Sequence, residues 1–189
     1  MRVFPNHPER PGGDRADQNA ICVMPRIGDM SFTLAPIMIC YLVRHGDAKS
    51  EAEDPRRPLT ELGRRQVEHT GRAAAARGIS AREIWHSDKL RAKQTAEILG
   101  EFLGARGSLR EIEGLAPNDD PTIAQIEIEG APDPILIVGH LPHLSRLGSL
   151  LISGDPEKSR IEFATAAMVC LARDARNWRA DWTLAPDQS

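Results

Sequence analysis

The first sustained pattern in the chain is Ile37-Met38-Ile39-Cys40-Tyr41-Leu42-Val43, a near-continuous apolar run of the kind a central parallel strand carries when both its faces are covered. Arg44-His45-Gly46 interrupts it. After a polar loop, Thr60 is placed to cap a helix running to about Arg77, with Glu61, Arg64, Arg65, Glu68 and Arg72 on its charged face and Gly78 as its stop. Glu83-Ile84-Trp85-His86 predicts a short strand. A second helix starts near Asp88 and runs to about Leu103, with Thr95, Ile98, Leu99 and Phe102 as its inward stripe, and stepping that stripe back four residues lands on Arg91.

Farther on, Leu109 to Ile112 predicts another short strand and Asp120-Pro121 opens a helix to about Glu129. Pro134 to Val138 reads as a third buried strand, ended by Gly139-His140, and Pro142 suits the first turn of a helix that runs to about Ile152. The tail alternates through Ala167 to Leu171, turns at Arg173 to Asn177, and places Trp178, Ala180, Trp182 and Leu184 on one face, which predicts a closing hairpin. Strands alternating with helices predict an α/β protein, a three-layer α/β/α sandwich with a mostly parallel central sheet.

Residues 1–36 break this order with five prolines, a Gly12-Gly13 pair and four basic against four acidic side chains. They read as a poorly ordered N-terminal extension, such as a start upstream of Met30 or Met38 would add, followed by one domain over 37–189. With mixed charge and no continuous apolar segment near the start, the extension matches neither a secretory nor a transit peptide. The whole chain has 189 residues and a formal charge of −3, so it offers no broad basic field for nucleic acid or an acidic membrane surface. No stretch approaches the roughly 18 apolar residues of a membrane helix. Cys22, Cys40 and Cys170 form no CxxC pair and cannot all pair with one another, which fits a reducing, cytoplasmic setting.

In an open α/β sheet the ligand site lies beyond the carboxyl ends of the strands, so residues that directly follow strands converge even when far apart in sequence. Arg44 and His45 follow the first strand, Ser87-Asp88 leads from the second into Arg91, and His140 follows the third. Two arginines and two histidines beside a helix N-terminus make an anion pocket. Arginine forks match phosphoryl oxygens bidentately, and a neutral imidazole nitrogen among them is a free nucleophile toward phosphorus.

At these residues the chain resembles the histidine phosphatase, or phosphoglycerate mutase-like, superfamily. Leu42-Val43-Arg44-His45-Gly46, Arg57-Pro58-Leu59-Thr60, Ser87-Asp88-Lys89-Leu90-Arg91-Ala92-Lys93-Gln94-Thr95 and Val138-Gly139-His140-Leu141-Pro142 stand in that family's order and spacing. Within it, the short length, Arg44-His45-Gly46-Asp47-Ala48 and Leu115-Ala116-Pro117-Asn118 resemble the SixA-type phosphohistidine phosphatases, over about residues 38 to 185. The resemblance implies a phosphoglycerate mutase-like fold and a catalytic set of His45 as nucleophile with Arg44, Arg91 and His140 on the phosphoryl oxygens. It implies no metal and no other cofactor. Arg57, Asp47 and Asn118 in the same motifs are candidate substrate-binding residues, with Arg57 either lining the pocket mouth or bracing its loop.

The general acid is the open question. Phosphomonoesterases of this family protonate the leaving alkoxide with a carboxylic acid shortly after the third strand, where Glu113 lies close and Gly114 falls at the matching position. Asp119, Asp120 and Asp47 are further candidates. A phosphohistidine leaving group relaxes this need, and only some thirty residues separate the second helix from the strand at Pro134, too few for the cap of larger relatives. The expected activity is therefore removal of phosphate from a phosphorylated histidine phosphotransfer domain or other phosphoprotein, with inorganic phosphate as product. The alternatives are a small-molecule phosphomonoesterase and, from another class, a noncatalytic module that captures phosphorylated partners. His140 and His143 at i, i+3 with Asp47 or Asp119 also spell a hydrolytic metal site.

Overall fold

The computed structural model describes residues 38–131, 134–158, 161–174 and 177–186, so the expected extension over 1–36 lies outside the described residues. The chain runs β1 (Met38–Arg44), α1 (Glu61–Ala76), β2 (Glu83–His86), α2 (Leu90–Phe102), β3 (Leu109–Glu111), α3 (Pro121–Glu129), β4 (Ile135–Gly139), α4 (His143–Ser153), β5 (Met168–Arg173) and β6 (Trp178–Leu184), with a 3-10 turn at Arg106–Ser108. Six strands form one sheet in the order β3-β2-β4-β1-β5-β6. β3, β2, β4 and β1 pair in parallel; β5 runs antiparallel to β1 and β6 antiparallel to β5.

The apolar run of β1 is continuous because successive side chains serve two cores. Tyr41 and Val43 pack with Val67 of α1 and Ala96 and Leu99 of α2, whereas Cys40 and Leu42 pack with Ile128 of α3 and Leu144 of α4 on the other face. Ile135 to Val138 of β4 divide the same way and are fully buried. The result is the expected α/β/α sandwich. Among the described residues no helix is long and apolar enough to cross a membrane.

Local chemistry sets the helix ends. Thr60 caps α1 by accepting the Gly63 amide on its hydroxyl, and Asp120 caps α3 by accepting the Thr122 amide. α2 begins at Leu90 after Lys89, later than the expected start near Asp88, and its buried positions are Arg91, Ala92, Thr95, Ala96, Leu99 and Gly100. Ile98 and Phe102 of the expected stripe are only half-buried. Pro142 precedes α4 as its N-cap instead of entering its first turn.

The hairpin carries a correction. Cys170 pairs with Trp182 but Leu171 pairs with Ala180, so Asp181 is an extra residue in β6 and the alternation changes face there. Trp178 consequently packs with the α3/α4 core, and Trp182 and Leu184 with the α1/α2 core.

This topology fixes where a ligand crevice can form. β1 and β2 lead into α1 and α2 on one face, whereas β4, lying between them, leads into α4 on the other. Chains leaving neighbouring strands in opposite directions open a crevice at their carboxyl ends.

Candidate active site

Arg44, His45, Ser87, Arg91 and His140 all arise at that edge. His45 leaves β1 with its backbone held on both sides, its amide donating to the Gly139 carbonyl at 3.1 Å and its carbonyl accepting the Ala166 amide at 3.2 Å. Its ring is then set by its own loop: Nδ1 lies 2.7 Å from the Gly46 carbonyl oxygen. A carbonyl only accepts, so Nδ1 carries the proton and Nε2 keeps a free lone pair. Arg91 Nε donates to that Nε2 at 3.3 Å. Burial lowers the His45 pKa to about 4, with Arg91, Arg44 and Arg57 adding to the shift against the Gly46 hydrogen bond, so the ring is neutral at physiological pH.

The loop that presents His45 is braced against both helices of its face. The Gly46 amide donates to Thr95 Oγ1 at 3.2 Å, and Thr95 Oγ1 donates to the Arg91 carbonyl at 2.7 Å. On the α1 side, Thr60 Oγ1 donates to Asp47 Oδ2 at 2.6 Å and the Thr60 amide donates to the Asp47 carbonyl at 3.0 Å. Gly63 is required here because a Cβ on it would overlap the Asp47 carbonyl.

Arg91 is buried on the first turn of α2, as its place on the inward stripe predicted. Burial and the Arg57 charge depress its pKa, against Asp88. Arg44 donates from Nη1 to the Phe163 carbonyl at 2.9 Å, which aims the guanidinium along the sheet edge, and its buried Nε has no hydrogen-bond partner. His140 is 1% exposed and its ring centroid stands 4.9 Å from that of His45. Burial, followed by the charges of His45 and Arg91, lowers its pKa to about 2. The four residues expected to form the set are thus brought together.

Ser87 carries a role that motif reading passed over. Its Oγ lies 2.6 Å from His140 Nε2 and also accepts the Lys89 amide at 3.3 Å, while His140 Nδ1 is buried without a partner. The signal was available, because Ser87 directly follows β2 as His45 follows β1. Ser87→Ala removes the one side-chain hydrogen bond that orients His140. It is expected to cost about 1–2 kcal/mol in the transition state, close to a tenfold fall in kcat/KM for a phosphorylated substrate. Steady-state kinetics check this, and an unchanged kcat/KM removes Ser87 from the positioning of His140.

The remaining candidates fall in different places. Asp47 holds the His45 loop onto Thr60 through one carboxylate oxygen, and Asp120 caps α3 through a 2.9 Å bond from the Thr122 amide, so each has a structural task of its own. Asp119 accepts the Ala116 amide at 2.8 Å. Asn118 is exposed and makes no hydrogen bond to Arg44, His45, Arg91 or His140 among the described residues. Glu113 is exposed in the turn after β3, on a groove of about 450 Å³ shared with Asp88, Glu111 and Asp119. Gly114, at the position matching the family's acid, has φ +81, and a Cβ there would come within 2.6 Å of Ile123. That position cannot take a carboxylate side chain without rebuilding the turn.

Arg57 both lines the mouth and braces its loop. Its Nε donates to the Lys49 carbonyl at 3.1 Å, and with Arg56, Lys89, Arg91, Glu51 and Asp88 it borders a groove of about 540 Å³. His143 is fully buried. Burial lowers its pKa, opposed by Asp119 and by a hydrogen bond to the Gly114 backbone. Among the described residues no three His, Cys, Asp or Glu side chains are grouped to hold a metal ion, which corrects the metal reading of His140 and His143. The reason is local: Ser87 takes His140 Nε2, and backbone amides or Thr60 take the aspartates.

Comparisons with known proteins agree with this fold. The family model described as histidine phosphatase superfamily (branch 1) matches residues 40–116. Phosphohistidine phosphatase SixA of Escherichia coli (strain K12) is 26% identical over 155 residues, 79% of this chain and 94% of that protein. An uncharacterized protein of Picosynechococcus sp. is 35% identical over 125 residues, 62% of this chain and 74% of that protein. Among solved structures, the protein histidine phosphatase SixA complexed with tungstate is similar with a TM-score of 0.70 at 27% identity, covering 79% of this chain and 97% of that one.

Proposed function

Because this chain belongs to the histidine phosphatase superfamily and is a phosphatase, we propose that it removes the phosphoryl group from phosphohistidine on a protein by way of a covalent intermediate on His45. The observation that carries the reading is a neutral His45 whose Nε2 is unprotonated and accepts the Arg91 N–H, set among Arg44, Arg91 and His140, with Gly114 in the left-handed conformation where the resemblance expects the acid.

In the first step His45 Nε2 attacks phosphorus, and the P–N bond to the substrate imidazole breaks. That ring already carries a proton on its other nitrogen, so it departs as neutral imidazole and needs no newly placed acid. The Arg91 N–H that rests on Nε2 is released toward a phosphoryl oxygen as the new bond forms. Arg44 and His140 hold the other oxygens, and the fixed positive charge of the two arginines stabilises the transition state.

In the second step water attacks the phosphoryl group on His45, the P–Nε2 bond breaks, inorganic phosphate forms and the water proton leaves to solvent. The Gly46 carbonyl keeps a proton on Nδ1 throughout, so His45 also leaves as neutral imidazole. One backbone hydrogen bond thus serves both halves of the reaction.

Phosphate release from a phosphohistidine phosphotransfer domain and from a panel of phosphomonoesters tests the reading. A general acid typically supplies about 10²- to 10⁴-fold, so kcat/KM is expected to favour the P–N substrate by about that margin. Preference for a monoester, lost in Glu113→Gln, would overturn it and assign Glu113 as a working acid.

A further inference from the structure

We propose that the groove beside Arg91 receives an acidic flank of the protein that carries the phosphohistidine, with Arg57 as the residue that selects it. This rests on the phosphohistidine reading above and names the side from which such a protein docks. The chain as a whole carries a net charge of −3, so a basic mouth is a local departure from the general surface.

The cations of the groove are not equivalent. Lys89 is paired with Asp88 at 2.8 Å, and Arg56 lies 3.6 Å from Asp54. Arg91 rests on His45, and Arg57 makes no ion pair among the described residues. Arg57 is also the one of these cations with a left-handed backbone, at φ 50, a conformation unusual for a long side chain and enriched at functional sites. That backbone is fixed by the Arg57 amide donating to the Asp54 carbonyl at 2.8 Å, and Nε is fixed on the Lys49 carbonyl. The anchoring uses Nε alone, leaving both terminal nitrogens of the fork for a carboxylate. Arg57 and Arg91 border the same groove, and the Arg57 charge lowers the pKa of both His45 and Arg91.

The opposite flank fixes the direction. Beyond Asp88 the second groove is lined by Glu111, Glu113 and Asp119 with no lysine or arginine among its lining residues. A carboxylate-bearing surface is repelled there and attracted on the Arg57 side, so the two grooves together orient a protein substrate about its phosphohistidine. The acidic groove sets polarity only; the binding is assigned to Arg57.

Three P–N substrates separate the possibilities: phosphoimidazole, which has no flank, and two phosphohistidine peptides of equal length, flanked by Asp and Glu in one and by Ser and Gln in the other. The acidic peptide is expected to be favoured about tenfold in kcat/KM at low salt, with the ratio falling toward one as ionic strength nears about 1 M and the screening length about 3 Å. Arg57→Gln is expected to bring the ratio close to one and Arg57→Lys to keep part of it. Equal turnover of both peptides by the unaltered protein, or a ratio that survives in Arg57→Gln, overturns the inference while phosphoimidazole turnover leaves the P–N reading standing. An enzyme that hydrolyses phosphomonoesters but none of the three overturns that reading, and the inference with it.

Discussion

Replacing His45 with alanine is expected to reduce phosphate release by roughly 10⁴- to 10⁶-fold, the range seen when a nucleophile is removed from a site that is otherwise intact. Binding of a tetrahedral oxyanion such as tungstate is expected to persist, since Arg44 and His140 are held by contacts that do not pass through His45, and Arg91, which loses its bond to His45 Nε2, keeps its buried place on α2. Arg44 is anchored on the Phe163 carbonyl, His140 on Ser87, and Arg91 by its buried helical position. Calorimetric titration of the variant with tungstate, beside its turnover, separates the two effects. Turnover comparable to the unaltered protein would remove His45 as the nucleophile, and loss of oxyanion binding together with turnover would mean that the ring holds the pocket open.

The second large effect is expected at Arg91, because it meets His45 in the resting site and, on the proposed mechanism, the phosphoryl oxygens during transfer. Arg91→Ala is expected to lower kcat/KM by about 10²- to 10³-fold, the usual loss when one donor to developing oxyanion charge is removed. Lysine is not expected to restore it, having no fork to engage a phosphoryl group bidentately. The variant also carries a pH signature with a definite sign. His45 attacks only when neutral, so activity falls as pH drops through its pKa, which stands at about 4 chiefly through burial and further through the Arg91 charge. Removing a neighbouring positive charge makes the imidazolium less unfavourable, so the acid limb of kcat/KM moves to higher pH, partway to the ordinary histidine value of about 6.5. A limb that stays in place or moves lower would show that Arg91 does not act on His45.

Much of this arrangement is legible in the chain before any coordinates. The run from Met38 to Val43 reads as a doubly covered strand because both cores draw on it, and the residues after β1, β2 and β4 converge because a doubly wound sheet brings them together. The helical period places Arg91 on the buried stripe of α2, beside the strand-end and motif signals that single it out. What is not legible is what side chains do among themselves. Asp47 and Asp120 look like any carboxylate near the site, yet each is taken by a cap or a loop-to-helix bond, since short acidic side chains bond readily to nearby backbone and hydroxyl groups. Ser87 is two bonds of reasoning from the motif: its value lies in a 2.6 Å contact to a residue fifty-three positions away. The hairpin misled for a different reason, because a bulge at Asp181 changes the face of every later residue without altering composition.

Glycines mark the limits of variation around this site. Gly63 admits the Asp47 carbonyl that fixes the His45 loop, and Gly114 holds a left-handed turn beside Ile123 where a side chain would be strained. On the proposed mechanism, the first supports the attacking histidine and the second favours leaving groups that need no acid.

The most direct test of the account is to look for the phosphoryl group on His45 itself. A phosphohistidine domain labelled on its phosphate, mixed rapidly with the enzyme and quenched in alkali, is expected to leave an acid-labile label on the peptide containing His45, appearing and decaying at rates that account for phosphate release. Release of labelled phosphate with no transfer to the enzyme, or transfer to any other residue, would contradict it.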